Sequence, residues 1–273
     1  MQINCKGKLV DLSQPKVMGI LNITPDSFYD GGKNIEIQNA LNQVETMLNQ
    51  SADFVDIGGI STRPGSTEVS ENEELNRVIP IVESILKEFP EILISVDTYR
   101  SKVAKESIQA GAAIINDISA GNLDEHLLQT VVELKVPYVL MHMQGKPKTM
   151  QQNPIYENVA IEVNQFFSEK INELKQLGIN DIILDPGFGF GKTVEHNYEL
   201  MKNLDLIGFD EFPLLVGVSR KSMVTRLLDL KPSEALNGTS LLNFYALQKG
   251  AKILRVHDVK EAKEAIKIWE MLQ

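Results

Sequence analysis

The stretch Ile182–Lys192, IILDPGFGFGK, contains the pattern from which the fold of this chain can be argued. A short apolar run ends on Asp185, and a glycine-rich loop follows it. An apolar run without polar alternation is typical of a strand in a parallel sheet whose two faces are both buried. The pattern recurs and predicts eight strands, at Val17–Leu21, Phe54–Ile57, Ile92–Val96, Ala113–Ile115, Tyr138–Met141, Ile182–Leu184, Leu214–Val218 and Ile253–Val256.

Segments with helical periodicity separate the predicted strands, as in residues 75–86, where apolar side chains recur at helical spacing. Ser70, with a glutamate three residues later, predicts the start of this helix, and Gly178 predicts the end of a long helix over Tyr156–Leu177. Strand and helix alternate without a linker or a shift in composition. We therefore predict one (β/α)8 TIM barrel domain over residues 1–273, with an open doubly wound sheet as the alternative.

The first residues of the chain predict a separate element. Two short alternating runs flank Lys6-Gly7-Lys8 within Ile3–Leu12, and this pattern is typical of a β-hairpin. We expect this short N-terminal hairpin to lie across the bottom of the barrel.

Composition limits the partners of the protein. A net charge of −10 and a pI near 5.0 argue against nucleic acid or an anionic membrane surface, because those partners select for clustered lysine and arginine. No apolar leader is recognisable, and no stretch approaches the roughly 18 apolar residues of a membrane span. The one cysteine, Cys5, excludes an internal disulfide, so we expect a cytoplasmic protein.

Polar side chains follow almost all of the predicted strands, at the end where barrels of this type carry their chemistry. They are Asn22, Asp56, Asp97, Asn116, His142, Asp185, the Ser219-Arg220-Lys221 group, Arg255 and His257. Taken singly, each could be a turn or cap residue. Together they mix acceptors with basic donors, which suits a polar heterocycle that carries an anion. A metal hydrolase is disfavoured, because there are four histidines and no H-E-x-x-H motif.

The glycine-rich loop after Asp185 does not match a phosphate-binding motif. A P-loop needs glycine where Pro186 stands, and a dinucleotide fingerprint needs glycine where Lys192 stands. We interpret its glycines as allowing the backbone to approach a flat ligand, with Phe190 offering a ring face; a flexible lid without ligand contact is the alternative. Two other long loops follow strands at the same end, and we interpret them as lids or binding segments.

A series of spaced motifs gives a more specific indication. In chain order they are NITPDSF, DIGGxSTRPG, SVDTYR, INDISAG, MHMQGxPxxMQ, ILDPGFGFGK, VGVSRKS, LNGTS and RVHDV. From about Val17 to Val259 the chain thereby resembles the dihydropteroate synthase family of pterin-binding TIM barrels. It departs at Ile60, where many members carry glutamate, so no acidic role transfers to that position.

The resemblance implies a transferase of folate biosynthesis and a sulfonamide target. Such an enzyme condenses 6-hydroxymethyl-7,8-dihydropterin diphosphate with p-aminobenzoate by an SN1-like displacement, giving 7,8-dihydropteroate and diphosphate. A pterin-binding methyltransferase and a catalytically silent pterin-binding protein are the alternatives. The STRPG and RVHD motifs, which imply a diphosphate site, disfavour the methyltransferase.

The resemblance also implies the residues of the site. The pterin would be held by Asp97, Asn116, Met141, Asp185, Phe190 and Lys221. The diphosphate would be held by Asn22, Thr62, Arg63, Arg255 and His257, with Mg²⁺ as cofactor and Asn22 as its protein ligand. The p-aminobenzoate pocket would be formed by Phe28, Thr62, Pro64, Phe190, Lys221 and Ser222. The catalytic residues would be Lys221, Arg255, Asp97 and Asp185. A homodimer is also implied, although the apolar residues Ile266, Trp269 and Leu272 of the last helix could equally cover the barrel.

Overall fold

The computed structural model of the chain describes residues 1–23, 33–60, 69–145 and 149–273. The strands in these ranges are β1 (Gln2–Cys5), β2 (Lys8–Asp11), β3 (Lys16–Asn22), β4 (Phe54–Gly58), β5 (Leu93–Asp97), β6 (Ile114–Asp117), β7 (Tyr138–Met141), β8 (Ile182–Asp185), β9 (Leu215–Val216) and β10 (Ile253–Val256). The α-helices are α1 (Lys33–Asn49), α2 (Glu71–Glu88), α3 (Ser101–Gln109), α4 (Leu127–Leu134), α5 (Val159–Leu177), α6 (Val194–Lys202), α7 (Ser222–Leu228), α8 (Leu236–Gln248) and α9 (Val259–Glu270). The 3-10 helices in the same described ranges cover Leu204–Asp210 and Pro232–Glu234.

Strands β3 to β10 form a parallel sheet that curls into a nearly closed barrel. Their order is β8-β7-β6-β5-β4-β3-β10-β9, so the first and last barrel strands of the sequence, β3 and β10, are neighbours. The two ends of the sheet meet where Leu184 and Leu214 form a parallel bridge. The predicted (β/α)8 barrel is thereby confirmed, and the open doubly wound sheet is excluded.

Strand β9 is shorter than predicted. The apolar run predicts a strand over Leu214–Val218, whereas only Leu215–Val216 pair regularly with β10. Leu214 lies at the seam of the barrel, where the chain makes one bridge to β8 instead of a ladder. The strand is therefore short because its apolar neighbours pack at the seam and in the loop that follows.

The helix ends follow the predicted caps. Ser70 accepts a hydrogen bond from the backbone nitrogen of Glu73 at 3.3 Å at the start of α2. Gly178 ends α5 with a left-handed φ of 92°. Helix α5 begins at Val159, later than predicted, because the side chain of Asn158 caps it and accepts from the nitrogen of Ile161. In the described ranges no helix is long and apolar enough to cross a membrane.

The N-terminal hairpin is formed by β1 and β2, as predicted, and it closes one end of the barrel. Its apolar side chains Ile3, Cys5 and Leu12 are buried in a cluster with inward-facing residues of the barrel strands. These partners are Met18, Phe54, Ile114, Val139, Ile183, Leu215 and Ile253. Because apolar side chains fill this end, any polar site inside the barrel has to lie at the opposite end.

Candidate active site

Every second residue of a barrel strand faces the interior, so the side chains inside the barrel form layers. Phe54 of β4 belongs to the apolar layer above the hairpin, and Asp56 follows two residues later on the same face. The register of the sheet places Asp56 beside Ser95, and Asp97 beside Asn116. The next layer towards the open end is therefore polar.

Arg255 of β10 is bound by two carboxylates of this polar layer. Its Nε donates to Asp56 Oδ2 at 2.6 Å, and its Nη2 donates to Asp97 Oδ2 at 2.9 Å. Asn116 Nδ2 donates to the same oxygen of Asp56 at 3.1 Å. Four strands thus contribute to one hydrogen-bonded group, which contains three of the residues predicted for the site together with Asp56.

Lys221 lies close to the same polar layer. Its Nζ donates to the carbonyl oxygen of Phe188 at 2.6 Å and lies 4.9 Å from the centre of the Phe190 ring. A Cβ placed on Gly217 would lie 3.8 Å from both Lys221 Nζ and Arg255 Cβ. The absence of a side chain at Gly217 therefore leaves room between the two cations.

Burial shifts the pKa values of three ionisable groups at the site towards neutrality. Desolvation raises the pKa of Asp97 to about 7, although the guanidinium of Arg255 opposes the shift. Desolvation also raises the pKa of Asp185, against the attraction of Lys221. It lowers the pKa of Lys221 to about 8, against the attraction of Asp185. Shifts of this kind are typical of functional sites, because there charges are held away from water.

The glycine-rich loop packs closely against another loop of the protein. Gly187 has a φ of 70°, and a Cβ there would lie 1.9 Å from the carbonyl oxygen of His142. Gly191 has a φ of 63°, and its Cβ would lie 2.3 Å from the carbonyl oxygen of Gln144. At these two positions glycine is needed for contact with the chain after β7, so their role differs from the ligand approach that the sequence indicated.

Lys192 holds the glycine-rich loop from inside. It is 2% exposed, and its Nζ donates to His142 Nδ1 at 2.8 Å, to Gly187 O at 3.0 Å and to Phe190 O at 3.2 Å. Other side chains form hydrogen bonds with the backbone of the same loop from outside. Gln151 donates to Gly189 O, Tyr156 donates to Gly191 O, and Asn197 accepts from Gly189 N. A loop held at so many backbone atoms is a poor candidate for a flexible lid, and it fixes Phe190 beside Lys221.

Replacing Lys192 with methionine should destabilise the protein. Two carbonyl oxygens and the Nδ1 of His142 would lose their donor in a buried place, so we expect the free energy of unfolding to fall by about 3 kcal/mol. Denaturant unfolding measures this change. Lys202→Met is the matched control, since Lys202 is exposed at the end of α6. A Lys192→Met protein as stable as the control would contradict this role.

The other predicted site residues lie around the same opening, as far as they are described. Asn22 ends β3, and its Oδ1 would be 3.5 Å from a Cβ placed on Gly58. Met141 is the register neighbour of Asp185, and the side chains of His257 and Ser219 are hydrogen-bonded at 3.0 Å. Ser222 begins α7 directly after Lys221. The predicted residues Phe28, Thr62, Arg63 and Pro64 lie outside the described residues.

Two residues at the site were missed as functional candidates. The sequence marks Asp56 only as a polar strand end, although its position two residues from both Phe54 and Gly58 indicates that it shares their face of the strand. Lys192 enters the sequence argument only because it excludes a dinucleotide motif. A lysine next to a glycine run gives no indication that it is buried.

The oxygen donors present would suit a weakly held Mg²⁺. The amide oxygen of Asn22 is a hard ligand, and Mg²⁺ keeps several waters and uses few protein ligands when a substrate supplies phosphate oxygens. Within the described part of the chain no group of three or more His, Cys, Asp or Glu side chains could hold a metal. The donors therefore fit an ion that is shared with a substrate better than one in a dedicated protein cage.

Comparisons with known proteins give a consistent result. Residues 18–257 match the family described as pterin binding enzyme. The chain is 49% identical to the dihydropteroate synthase of Escherichia coli (strain K12), over 99% of this chain and 96% of that protein. A dihydropteroate synthase structure from Yersinia pestis with a sulfonamide drug complex has a TM-score of 0.94 and 46% identity, and covers 100% of this chain and 99% of its own. The Xanthomonas albilineans enzyme in complex with 7,8-dihydropteroate has a TM-score of 0.89 and 35% identity, with 100% and 99% covered.

Proposed function

Because this chain belongs to the dihydropteroate synthase family of pterin-binding enzymes, it is a transferase of folate biosynthesis, and we propose how its residues carry out the reaction. The proposed reaction condenses 6-hydroxymethyl-7,8-dihydropterin diphosphate with p-aminobenzoate. The observation that carries the proposal is the polar layer at the open end of the barrel, in which Asp97, Asn116 and Asp185 lie with Arg255 and Lys221. Residues 1–273 act as one pterin-binding barrel domain in this proposal.

The pterin subsite of the proposal uses the acceptors of this layer. A pterin presents an aminopyrimidinone edge with N–H donors, which suits Asp97, Asn116 and Asp185, while Lys221 donates to its carbonyl and ring nitrogen. Asp185 is held towards the site because one of its oxygens accepts from Gly187 N at 2.8 Å. Met141 and Phe190 offer apolar contact to the flat ring.

The proposed displacement is SN1-like, with the bond from the pterin methylene carbon to the diphosphate oxygen breaking before the arylamine nitrogen attacks. Negative charge then accumulates on the diphosphate, near Arg255 and Lys221, while the carboxylates of Asp97 and Asp185 stabilise the cationic pterin. No strong general base is required, since the arylamine is neutral and nucleophilic.

The remaining subsites are proposals based on the family. The diphosphate lies over Asn22, Thr62, Arg63, Arg255 and His257, and p-aminobenzoate lies between Phe28, Thr62, Pro64, Phe190, Lys221 and Ser222. Mg²⁺, when bound at Asn22 together with the diphosphate, would neutralise charge on the leaving group.

A direct assay tests the proposed reaction. Purified protein is supplied with dihydropterin diphosphate, Mg²⁺ and labelled p-aminobenzoate, and we expect labelled dihydropteroate together with diphosphate. Protein that binds pterin but forms no labelled product would contradict the proposal and favour a silent pterin-binding protein. Methyl transfer from methyltetrahydrofolate to a corrinoid protein, without dihydropteroate, would favour the methyltransferase.

The pKa shifts predict how pterin binding depends on pH. Below about pH 7 Asp97 takes up a proton and stops accepting, and above about pH 8 Lys221 loses the proton that it donates. We therefore expect affinity for a pterin without diphosphate to be highest between these pH values and to fall on both sides. Calorimetry over pH 5.5–9.5 measures the profile. Lys221→Arg should remove the alkaline fall and keep the acidic one, and a flat wild-type profile would contradict the assignment.

A second copy of the chain is the proposed partner of the α7–α8 surface. Five large side chains between residues 227 and 245 are exposed there, namely Leu227, Leu228, Leu236, Leu241 and Tyr245. A helix such as α8, which carries apolar residues on its outer face as well as towards the core, is typical of a buried position. The C-terminal segment is a weaker candidate, since Ile266 and Trp269 pack against the barrel and Leu272 alone of the three named residues is largely exposed.

A charge in this surface should therefore prevent dimer formation. Leu241 is 64% exposed, and we expect Leu241→Glu to be a folded monomer when the wild type is a dimer. Sedimentation velocity measures the mass. Ile161→Glu, at an exposed position on α5, is the matched control and should leave the dimer intact. A wild-type protein that is monomeric at micromolar concentration would refute the proposal.

We also propose that the protein acts in the cytoplasm on small molecules, without nucleic acid or membrane as a partner. The net charge of −10 and the single cysteine support this proposal. Cys5 is buried beneath the barrel, where desolvation raises the pKa of its thiol to about 12, so it is an inert core residue.

A further inference from the structure

We infer that Asp56 is a positioning residue whose buried carboxylate fixes the side-chain amide of Asn116 in one orientation, with the amide oxygen available to the pterin. The inference rests on the proposed pterin subsite and adds to it a residue that need not contact the substrate. In this role Asp56 determines that Asn116 offers an acceptor, and not a donor, to one point of the pterin edge.

The hydrogen bonds of Asp56 support this role. Asp56 is 0% exposed, and its Oδ2 accepts from Asn116 Nδ2 at 3.1 Å and from Arg255 Nε at 2.6 Å. A carboxylate that faces a guanidinium offers only acceptors. The amide atom of Asn116 that faces Asp56 therefore has to be the NH₂ group.

The other end of the Asn116 amide is fixed as a consequence. Turning the amide by 180° would place its oxygen against the carboxylate of Asp56, and the hydrogen bond would be replaced by repulsion. In the parts of the chain that are described, Asn116 Oδ1 has no hydrogen-bond partner, so it remains an acceptor for an incoming N–H group. Ligands that present an N–H donor at this point should bind, and analogues that present a lone pair should be rejected.

Arg255 decides which substitution of Asp56 is informative. A single oxygen of Asp56, Oδ2, serves both Arg255 and Asn116, and Oδ1 has no hydrogen-bond partner among the described residues. An asparagine at position 56 can place its amide oxygen where Oδ2 lies, so Asp56→Asn keeps an acceptor for both partners. The variant Asp56→Leu offers no acceptor and lets the amide of Asn116 turn round.

The test measures dissociation constants by calorimetry with 6-hydroxymethylpterin, which lacks the diphosphate and so does not report on phosphate contacts. We expect Asp56→Leu to weaken binding about tenfold or more, because the amide of Asn116 loses the acceptor that fixes it. Asp56→Asn is the conservative variant, since its amide oxygen can accept from both Asn116 and Arg255. We expect its affinity to lie within about threefold of wild type, a rescue that a need for the buried charge alone would not give.

Two further variants complete the test. Asn116→Asp keeps an acceptor for the ligand but sets two carboxylates against each other, so its affinity should also fall about tenfold, and it tests the role even if Asp56→Leu does not fold. Ser95→Ala is the matched control, since Ser95 is the buried register neighbour of Asp56 and its hydroxyl has no hydrogen-bond partner among the described residues. It should bind like wild type.

The outcomes separate the inference from the proposed function. Asp56→Leu or Asn116→Asp binding pterin as tightly as wild type would overturn the role of Asp56, and so would Asp56→Asn binding no better than Asp56→Leu. A wild-type protein that does not bind 6-hydroxymethylpterin at all would instead refute the proposed pterin subsite.

Discussion

Replacing Asp185 with alanine should weaken pterin binding by at least about a thousandfold, because the site would lose a buried acceptor built to pair with the substrate. The loss has a second component. Asp185 raises the pKa of Lys221, so without it that pKa should fall below about 8 and the ammonium should lose its charge nearer neutral pH. One substitution would thus remove one acceptor and weaken one donor of the proposed pterin subsite.

Calorimetry with a pterin that lacks diphosphate measures this loss directly. Asp185→Asn keeps one acceptor for Gly187 N and for the ligand, and should lie between wild type and Asp185→Ala. Asp205→Ala serves as the control, because Asp205 is exposed and its ion pair with Lys249 is of the surface type that contributes little. Retention of wild-type affinity by Asp185→Ala would remove Asp185 from the pterin subsite.

Replacing Arg255 with methionine should lower kcat/KM by about 10³-fold or more, since loss of a single donor to developing negative charge typically costs 10²–10³ in rate. The structure adds a reason that the sequence did not contain. Burial raises the pKa of Asp97, and the guanidinium of Arg255 limits that rise. Without the guanidinium that pKa should rise above about 7, so Asp97 would be protonated at neutral pH and pterin affinity should fall as well.

Steady-state kinetics and calorimetry at pH 7 and pH 9 separate the two effects. Relative to wild type at the same pH, the loss of pterin affinity should be smaller at pH 9, because Asp97 ionises there and because Lys221, without the guanidinium that lowers its pKa, keeps its proton to higher pH. The loss in turnover should persist. Arg255→Lys should recover only part of the activity, because an ammonium cannot hold Asp56 and Asp97 with two fixed donors. Arg226→Met, at an exposed position on α7, is the control. Unchanged pterin affinity in Arg255→Met at pH 7 would contradict the coupling.

The sequence predicts the strands well because their signal is local. A strand covered on both faces has to be apolar along its length, and the polar residue at its end marks the open side of the barrel. The error at β9 has a physical cause of the same kind, since Leu214 is apolar at a seam that forms a single bridge. The apolar residues there indicate that the segment is buried, but they do not indicate how many backbone hydrogen bonds it makes to the neighbouring strand.

The polar contacts inside the barrel could not be predicted in this way, because they join residues far apart in the chain. Asp56 and Arg255 are separated by 199 positions, and His142 and Lys192 by 50. The resemblance implies that Arg255 binds the diphosphate. Nothing in the RVHDV motif shows that, in the protein without ligand, Arg255 donates to the carboxylates of Asp56 and Asp97. Likewise the glycines after Asp185 were interpreted through a ligand, whereas two of them are required by neighbouring backbone.

The pairing of β3 with β10 has a consequence for the synthesis of the protein. Lys16 pairs with Ile253, so β3 waits during translation for a strand that is made much later. Until then one edge of β3 has no neighbour in the sheet, and the hairpin beneath it lacks Ile253 as a packing partner. Contacts of such sequence separation form slowly and leave strand edges open to association. The barrel can therefore close only after β10 has left the ribosome, and a nascent chain stalled before β10 should be prone to aggregation.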